Sequence, residues 1–463
     1  MISYTSTRGG AAGRGFEEVL LGGLAEDGGL YVPEAWPEID VAELAGLDYP
    51  TTVARLLAPF TEGCFDEAEL LAMARTAYAE FRHAATAPLV QLGHDEWLLE
   101  LFHGPTFAFK DFAMQLLGRM FEAVLARRDE HITIVGATSG DTGAAAVRAF
   151  AGLERIRVAI LFPDGRISPV QRRQMTTSPE ANVLVIAVRG TFDDCQNRLK
   201  EMFADTGFRD RVGLAAVNSI NWARVVAQAA YYVYAALRLG GLARPLAFSV
   251  PTGNFGDVYA GYVAKRIGLP VAKLVVATNE NDILARFLAT GRYARGPVVA
   301  TSSPSMDIQV ASNFERLLFE MEGRDGAAVA GLMREFAATG GLEVDDAKRD
   351  AVRTLFAGSR VDEATTRATI RDVLAGTGQL VDPHTAVGIR AGRDTAPENV
   401  PLVTLATAHP AKFPDAIRAA TGREAPLPPE LRAMMEAPER YTTSADDLAT
   451  IEADIRHWIE STS

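Results

Sequence analysis

The sequence predicts an α/β protein, an open and mostly parallel sheet covered by helices on both faces and preceded by a helical cap. Three observations carry that expectation. From residue 131 to residue 288 short apolar runs alternate with helical periods. The runs are apolar on both faces, as strands covered from both sides must be. Several of them end in loops of small and polar residues that lead straight into a helix. The composition agrees, because 463 residues at 48% hydrophobic and 23% charged can build a substantial core and roughly three domains.

The first ninety residues read as a helical cap, with helices over 16–24, 41–45, 49–57 and 65–82, the last opened near Asp66. Two short runs, 88–92 and 96–102, separated by Gly93-His94-Asp95, read as a hairpin. A helical period begins at Phe112, with Met114, Leu117, Met120, Phe121 and Leu125 on one side. Strand–helix pairs then follow at 131–135 and 142–150, 158–162 and 170–175, 183–188 and 192–203. Further pairs follow at 214–217 and 222–239, 246–250 and 257–267, and 274–277 and 283–288. Residues 306–375 are mainly helical, 403–406 is a final strand, and 446–459 is a charged helix expected on the surface. The resulting domain expectation is a cap over 1–90, a large domain over 91–126 and 209–463, and a small mobile α/β domain over 127–208.

A formal charge of −13 argues against a nucleic-acid surface and against an anionic membrane surface, while leaving room for a local basic pocket. The most apolar long run, 225–239, is too short to span a membrane. No apolar leader follows Met1, and Cys64 and Cys195 form no spacing motif, which fits a reducing cytoplasm. No metal-ligand spacing stands out among the seven histidines and two cysteines.

In open α/β sheets ligands bind beyond the carboxyl ends of the strands, so the loops after the predicted strands carry the functional reading. Gly136-Ala-Thr-Ser-Gly-Asp-Thr-Gly143 leads into a helix and suits a carboxylate or a phosphate, or else is a loop capped by Asp141 or Thr142. Pro251-Thr-Gly-Asn-Phe-Gly-Asp257 leads into another helix and reads as a phosphate cup, although it is neither a Walker loop nor G-x-G-x-x-G. Arg224 stands one turn into a helix, either holding a substrate phosphate or solvated. Thr407 could bond a heterocycle nitrogen or simply the backbone, and His384 in Asp382-Pro-His-Thr385 reads as a packing histidine. Lys110 lies between Phe109 and Phe112 beside Asp111. It is either a snorkelling lysine or a desolvated amine able to form a Schiff base. An amine, a phosphate cup and a partner for a ring nitrogen are together what pyridoxal phosphate needs.

These motifs resemble the threonine synthase family, pyridoxal-phosphate enzymes of fold type II (the tryptophan synthase β-subunit fold). The resemblance runs nearly end to end. It includes Tyr4-Thr-Ser-Thr-Arg-Gly9, His103-Gly-Pro-Thr-Phe-Ala-Phe-Lys-Asp111, Thr138-Ser-Gly-Asp-Thr-Gly143 and Ser219-Ile-Asn-Trp-Ala-Arg224. It continues through 251–257, Thr278-Asn-Glu-Asn-Asp282, Pro304-Ser-Met-Asp-Ile308, 382–388 and 407–414. The match is to the branch of enteric bacteria and fungi, with no room for the N-terminal extension of plant-type enzymes.

The resemblance implies two open, mostly parallel sheets and the following roles. Lys110 would carry the cofactor as a Schiff base and act in catalysis. Gly253, Asn254, Phe255, Gly256 and Asp257 would form the cofactor phosphate loop, and Thr407 would face the pyridine nitrogen. Thr138, Ser139, Asp141 and Thr142 would hold the substrate carboxylate, and Asn221 and Arg224 the substrate phosphate. Relatives outside this branch carry Asn where Asp141 stands, so its carboxylate would be turned away from the cofactor oxygen or protonated. The implied reaction converts O-phospho-L-homoserine and water to L-threonine and phosphate, in a cytoplasmic monomer. A phospho-lyase of the same family, releasing phosphate, ammonia and a 2-oxo acid, shares these motifs. From another class, a non-catalytic α/β binding protein is the rival, and an intact Lys110 speaks against it.

Overall fold

Residues 2–215 and 218–462 are described by a computed structural model. The chain forms two compact units, one of Met1–Gly104 with Ser219–Ala425 and one of Pro105–Asn218 with Pro426–Ser463.

The first unit is built on a six-stranded sheet. Its strands run in the order Phe356–Arg360, Val271–Thr278, Leu246–Pro251, Leu402–Ala406, Glu96–Glu100 and Leu89–Gly93. All neighbours are parallel except the last pair, which is the expected hairpin. Strands Leu246–Pro251 and Leu402–Ala406 are buried along their whole length. Helix Trp222–Arg238 is buried from Trp222 to Ala236, as a helix apolar on all sides must be. The cap belongs to this unit. Helices Phe16–Gly22, Tyr49–Leu57 and Glu67–Tyr78 form where periodicity predicts them, and Asp66 with Glu69 makes a capping box. Residues Val41–Leu44 form a 3-10 turn. Two further cap segments, Tyr4–Ser6 and Tyr31–Pro33, pair as an antiparallel ribbon that the sequence reading left unassigned.

The second unit is built on an all-parallel sheet in the order Thr442–Ser444, Val183–Val188, Ile156–Pro163, Ile132–Ala137 and Leu214–Ala215. Ala216 and Val217 of the expected strand over 214–217 lie outside the described residues. Two mixed or parallel sheets with helical cover confirm the predicted fold class.

These units are cut at other places than the expected boundaries at 90, 126 and 208. Helix Lys110–Arg128 packs in the second unit, where a Cβ on Gly118 would stand 2.6 Å from the Ala149 carbonyl oxygen of helix Asp141–Phe150. Only glycine allows that crossing, which outweighs its cost of about 1 kcal/mol in a helix. The expectation of a surface-laid tail is corrected: Ile451 and Ile455 of helix Leu448–Thr462 join Val135, Leu161 and Ile186 in the core of this unit. Among the described residues no helix is long and apolar enough to cross a membrane, and both cysteines are buried and outside any disulfide.

Candidate active site

Lys110 opens helix Lys110–Arg128 in the second unit. The chain reaches it through Phe107, whose φ of 60° is left-handed, a conformation that costs a bulky residue energy and persists only when its surroundings enforce it. The restraint comes from Asp111, which is fully buried and accepts hydrogen bonds from the Thr106 backbone N–H and hydroxyl, both at 2.7 Å. From the other side Gln174 Nε2 donates to the Thr106 carbonyl at 2.7 Å. Asp111 therefore anchors the turn before the helix. The lysine side chain is 12% exposed, so it does not snorkel freely into water. Its Nζ lies 4.9 Å from the Phe109 ring centroid and 3.7 Å from Asp141 Oδ2.

Asp141 begins helix Asp141–Phe150, after strand Ile132–Ala137 and the turn at 138–140. Its other carboxylate oxygen accepts from Gln171 Nε2 at 2.9 Å. Ser168 donates to Gln171 Oε1 at 3.0 Å, which orients the amide so that its N–H groups face the acid. The carboxylate is thus aimed at an amide and an ammonium, the two groups that stabilise its charge. Thr138 is buried, and its hydroxyl accepts from Gly140 N at 3.0 Å and Gly143 N at 2.9 Å. It caps the helix start, where Asp141 or Thr142 was the alternative the sequence offered to an anion site. Ser139 is exposed and Thr142 half-buried.

In the first unit, the loops after the two neighbouring central strands, 252–255 and 407–409, open at the same carboxyl edge of the sheet. Phe255 takes a left-handed φ of 64° at the N-terminus of helix Gly256–Arg266, with its ring packed edge-on to Phe314 at 5.7 Å. Asn254 donates to the Ser219 hydroxyl, and its Oδ1 accepts from Ser312 N at 2.5 Å. Asn313 Nδ2 bridges the Ser219 and Asn254 carbonyls at 3.1 and 3.0 Å. The Gly253 backbone is pressed so closely on Ser305 that a Cβ would meet its carbonyl oxygen at 2.4 Å. Asp257 points inward, where the Tyr231 and Tyr232 hydroxyls donate to Oδ1. Burial and that carboxylate together keep both phenols protonated, their pKa raised well above the ordinary range. What the loop offers an anion is its backbone and the positive end of a helix dipole, with the acid side chain withdrawn.

Asn221, fully buried, caps helix Trp222–Arg238 by accepting from Ala223 N at 3.0 Å, and donates to the Leu20 carbonyl at 2.8 Å. Its amide is spent on the fold. Arg224 is different. It is 5% exposed, and its Nη1 is buried without a hydrogen-bond partner among the described residues. Burial alone pushes its pKa down to about 10, with no acid among the described residues to restore it. Thr407 is buried just past strand Leu402–Ala406.

His409 accepts from Ala411 N through Nδ1 at 3.1 Å and packs edge-on to Phe102 at 5.4 Å. Burial, with the charge of Arg82 adding to it, pulls its pKa from 6.5 to about 4. The unfolded chain binds this proton below pH 6.5 and the folded chain does not, so stability falls as pH drops from 6.5 toward 4. His409→Asn, which keeps an acceptor for Ala411, is expected to remove about 2 kcal/mol of that loss. Melting temperatures of both proteins across that range check it; parallel curves would refute it.

Gln171 stands in no motif, and Ser305, although it lies within Pro304-Ser-Met-Asp-Ile308, has no side-chain chemistry that points to a site; the partners of both are distant in sequence. Among the described residues no group of His, Cys, Asp and Glu could hold a metal ion.

Comparison with known proteins bears on these two sets of residues. The family described as pyridoxal-phosphate dependent enzyme matches residues 82–403. The threonine synthase N terminus matches residues 3–78, and the threonine synthase C-terminal family matches 385–455. The chain is 50% identical over 457 residues to a threonine synthase of Pseudomonas aeruginosa, covering 98% of this chain and 97% of that one. Among solved structures, a pyridoxal-phosphate-bound threonine synthase from Brucella melitensis aligns with a TM-score of 0.97 at 51% identity, covering 99% of both chains. Yeast threonine synthase aligns with a TM-score of 0.94 at 38% identity, again covering 99% of both.

Proposed function

The chain belongs to the threonine synthase family of pyridoxal-phosphate-dependent lyases, and from that premise we propose how its own residues divide the work. The substrate is O-phospho-L-homoserine, and the products are L-threonine and phosphate. The enzyme works as a cytoplasmic monomer.

The residues present fit the cofactor. Gly253 lets the loop pack directly on the Ser305 backbone, where any Cβ would clash, and the loop after it carries backbone N–H groups at a helix N-terminus. Gly253, Asn254, Phe255 and Gly256 would take the phosphate, Thr407 the ring nitrogen and Lys110 the aldehyde carbon. When bound, pyridoxal phosphate supplies the electron sink for negative charge on the substrate carbon beside its amine. Lys110 Nζ is the amine that would hold the cofactor, and its proton-accepting nitrogen is the base suited to take the α-proton of the substrate. Asp141, 3.7 Å away, stabilises Nζ while it carries that proton, and Gln171 keeps Asp141 in place. Thr138, Ser139 and Thr142 shape the turn proposed for the substrate carboxylate, with Thr138 holding the turn rather than the ligand.

The observation that carries the reading is Arg224. A buried guanidinium without an acid costs several kcal/mol, and a dianionic phosphate would relieve that cost bidentately. The same arginine would stabilise the charge that develops on the leaving phosphate. Asn221 acts by capping the helix that bears it. Incubating the holoenzyme with O-phospho-L-homoserine should yield threonine and phosphate in equal amounts. 2-Oxobutyrate as the main product would replace the synthase reading with the lyase.

A further inference from the structure

We propose that His384 is a positioning residue for the cofactor phosphate loop, acting through the Ser305 peptide on Gly253. The proposal rests on the reading that residues 253–256 hold that phosphate. His384 lies at the start of helix Pro383–Thr395 and is 3% exposed. Its Nδ1 is 2.7 Å from Asp382 Oδ2, and its Nε2 accepts from the Ser305 backbone N–H at 3.2 Å. A ring nitrogen that accepts carries no proton, so the neutral ring holds its hydrogen on Nδ1 and donates it to Asp382. Asp382 is fixed in turn as the helix cap, accepting from the backbone N–H groups of His384 and Thr385, both at 3.0 Å.

The peptide that His384 holds is the one that Gly253 touches. The Ser305 carbonyl oxygen stands 2.4 Å from where a Gly253 Cβ would be. From another direction, Asn279 Nδ2 donates to Ser303 Oγ at 2.9 Å and to Asp307 Oδ1 at 2.7 Å. The 303–307 segment is therefore clamped on both sides of Ser305, and its backbone packs directly on Gly253. A histidine present only for packing would need its contact with the Phe413 ring, at 4.8 Å, and neither hydrogen bond. Here both nitrogens are engaged, and the one that faces the loop is held as an acceptor. Without it the partly buried Ser305 N–H loses this hydrogen bond, and the peptide packed on Gly253 is free to shift.

The test is the affinity of the apo-protein for pyridoxal phosphate and, separately, for pyridoxal, which lacks the phosphate. His384→Leu keeps apolar packing on Phe413 and removes the acceptor. It is expected to weaken pyridoxal phosphate binding on the order of tenfold, the effect of losing one hydrogen bond, and to leave pyridoxal binding unchanged. His384→Gln places an acceptor near the Nε2 position and should recover most of the affinity. His384→Asn is too short to do so and should behave like the leucine variant, so the glutamine–asparagine pair decides the matter even if the leucine variant fails to fold. Equal affinities for those two variants would overturn the proposal, as would equal losses for pyridoxal and its phosphate. Gly253→Ala separates the two levels of inference. If it leaves pyridoxal phosphate affinity intact, the loop assignment fails. If it weakens binding while His384→Leu does not, the role of His384 alone fails.

Discussion

Lys110→Ala is expected to lower kcat on the order of 10⁴-fold, because one nitrogen serves as both nucleophile and base. The fold should survive the change. The turn before the helix is held by Asp111 and Gln174, and the helix behind it is buried continuously from Asp111 to Gly118. The diagnostic reading is optical. A lysine-bound pyridoxal absorbs at about 410–420 nm, and that band should be present in the wild-type protein prepared with cofactor and absent from the variant. Lys110→Arg keeps a cation beside Asp141 and should be equally inactive, because a guanidinium neither gives up its proton nor adds to the aldehyde. Survival of the band in Lys110→Ala would refute the assignment.

Arg224→Leu should separate stability from function. Removing a buried, unpaired charge in favour of an apolar side chain stabilises proteins by about 1–4 kcal/mol, so the variant is expected to melt a few degrees higher. Its kcat/KM for phosphohomoserine should fall by about 10²–10³, the worth of a bidentate charge-assisted contact that strengthens as the phosphate leaves. Inorganic phosphate should raise the melting temperature of the wild type and not that of the variant. A variant that loses stability and retains activity would show that Arg224 is structural. The opposite signs of the two effects follow from one fact, the absence of a protein partner for Nη1 among the described residues.

The phosphate loop and the lysine were legible because their chemistry is local. Pro251-Thr-Gly-Asn-Phe-Gly-Asp257 joins an apolar run to a helix, and the order of residues alone places backbone N–H groups at a helix start. Strand Phe356–Arg360 was missed because Phe-Ala-Gly-Ser-Arg has no apolar run. It exists because Val271–Thr278 offers it a parallel ladder. Thr442–Ser444 is likewise a strand only by virtue of Val183–Val188. Asp257 looked like a ligand residue, yet Tyr231 and Tyr232 turn its carboxyl inward.

The sequence by itself determined the alternation of strand and helix, the loops at the strand ends and the presence of an apolar lysine, since periodicity and turn chemistry belong to contiguous residues. Only the tertiary structure decided what each polar side chain does. Asp141 meets Gln171 across 30 positions, and His384 meets Ser305 across 79. Arg224 meets no acid within the described residues. A hydrogen bond or a desolvated charge depends on what lies within about 3–4 Å in space, and that distance is set by how helices and sheets pack.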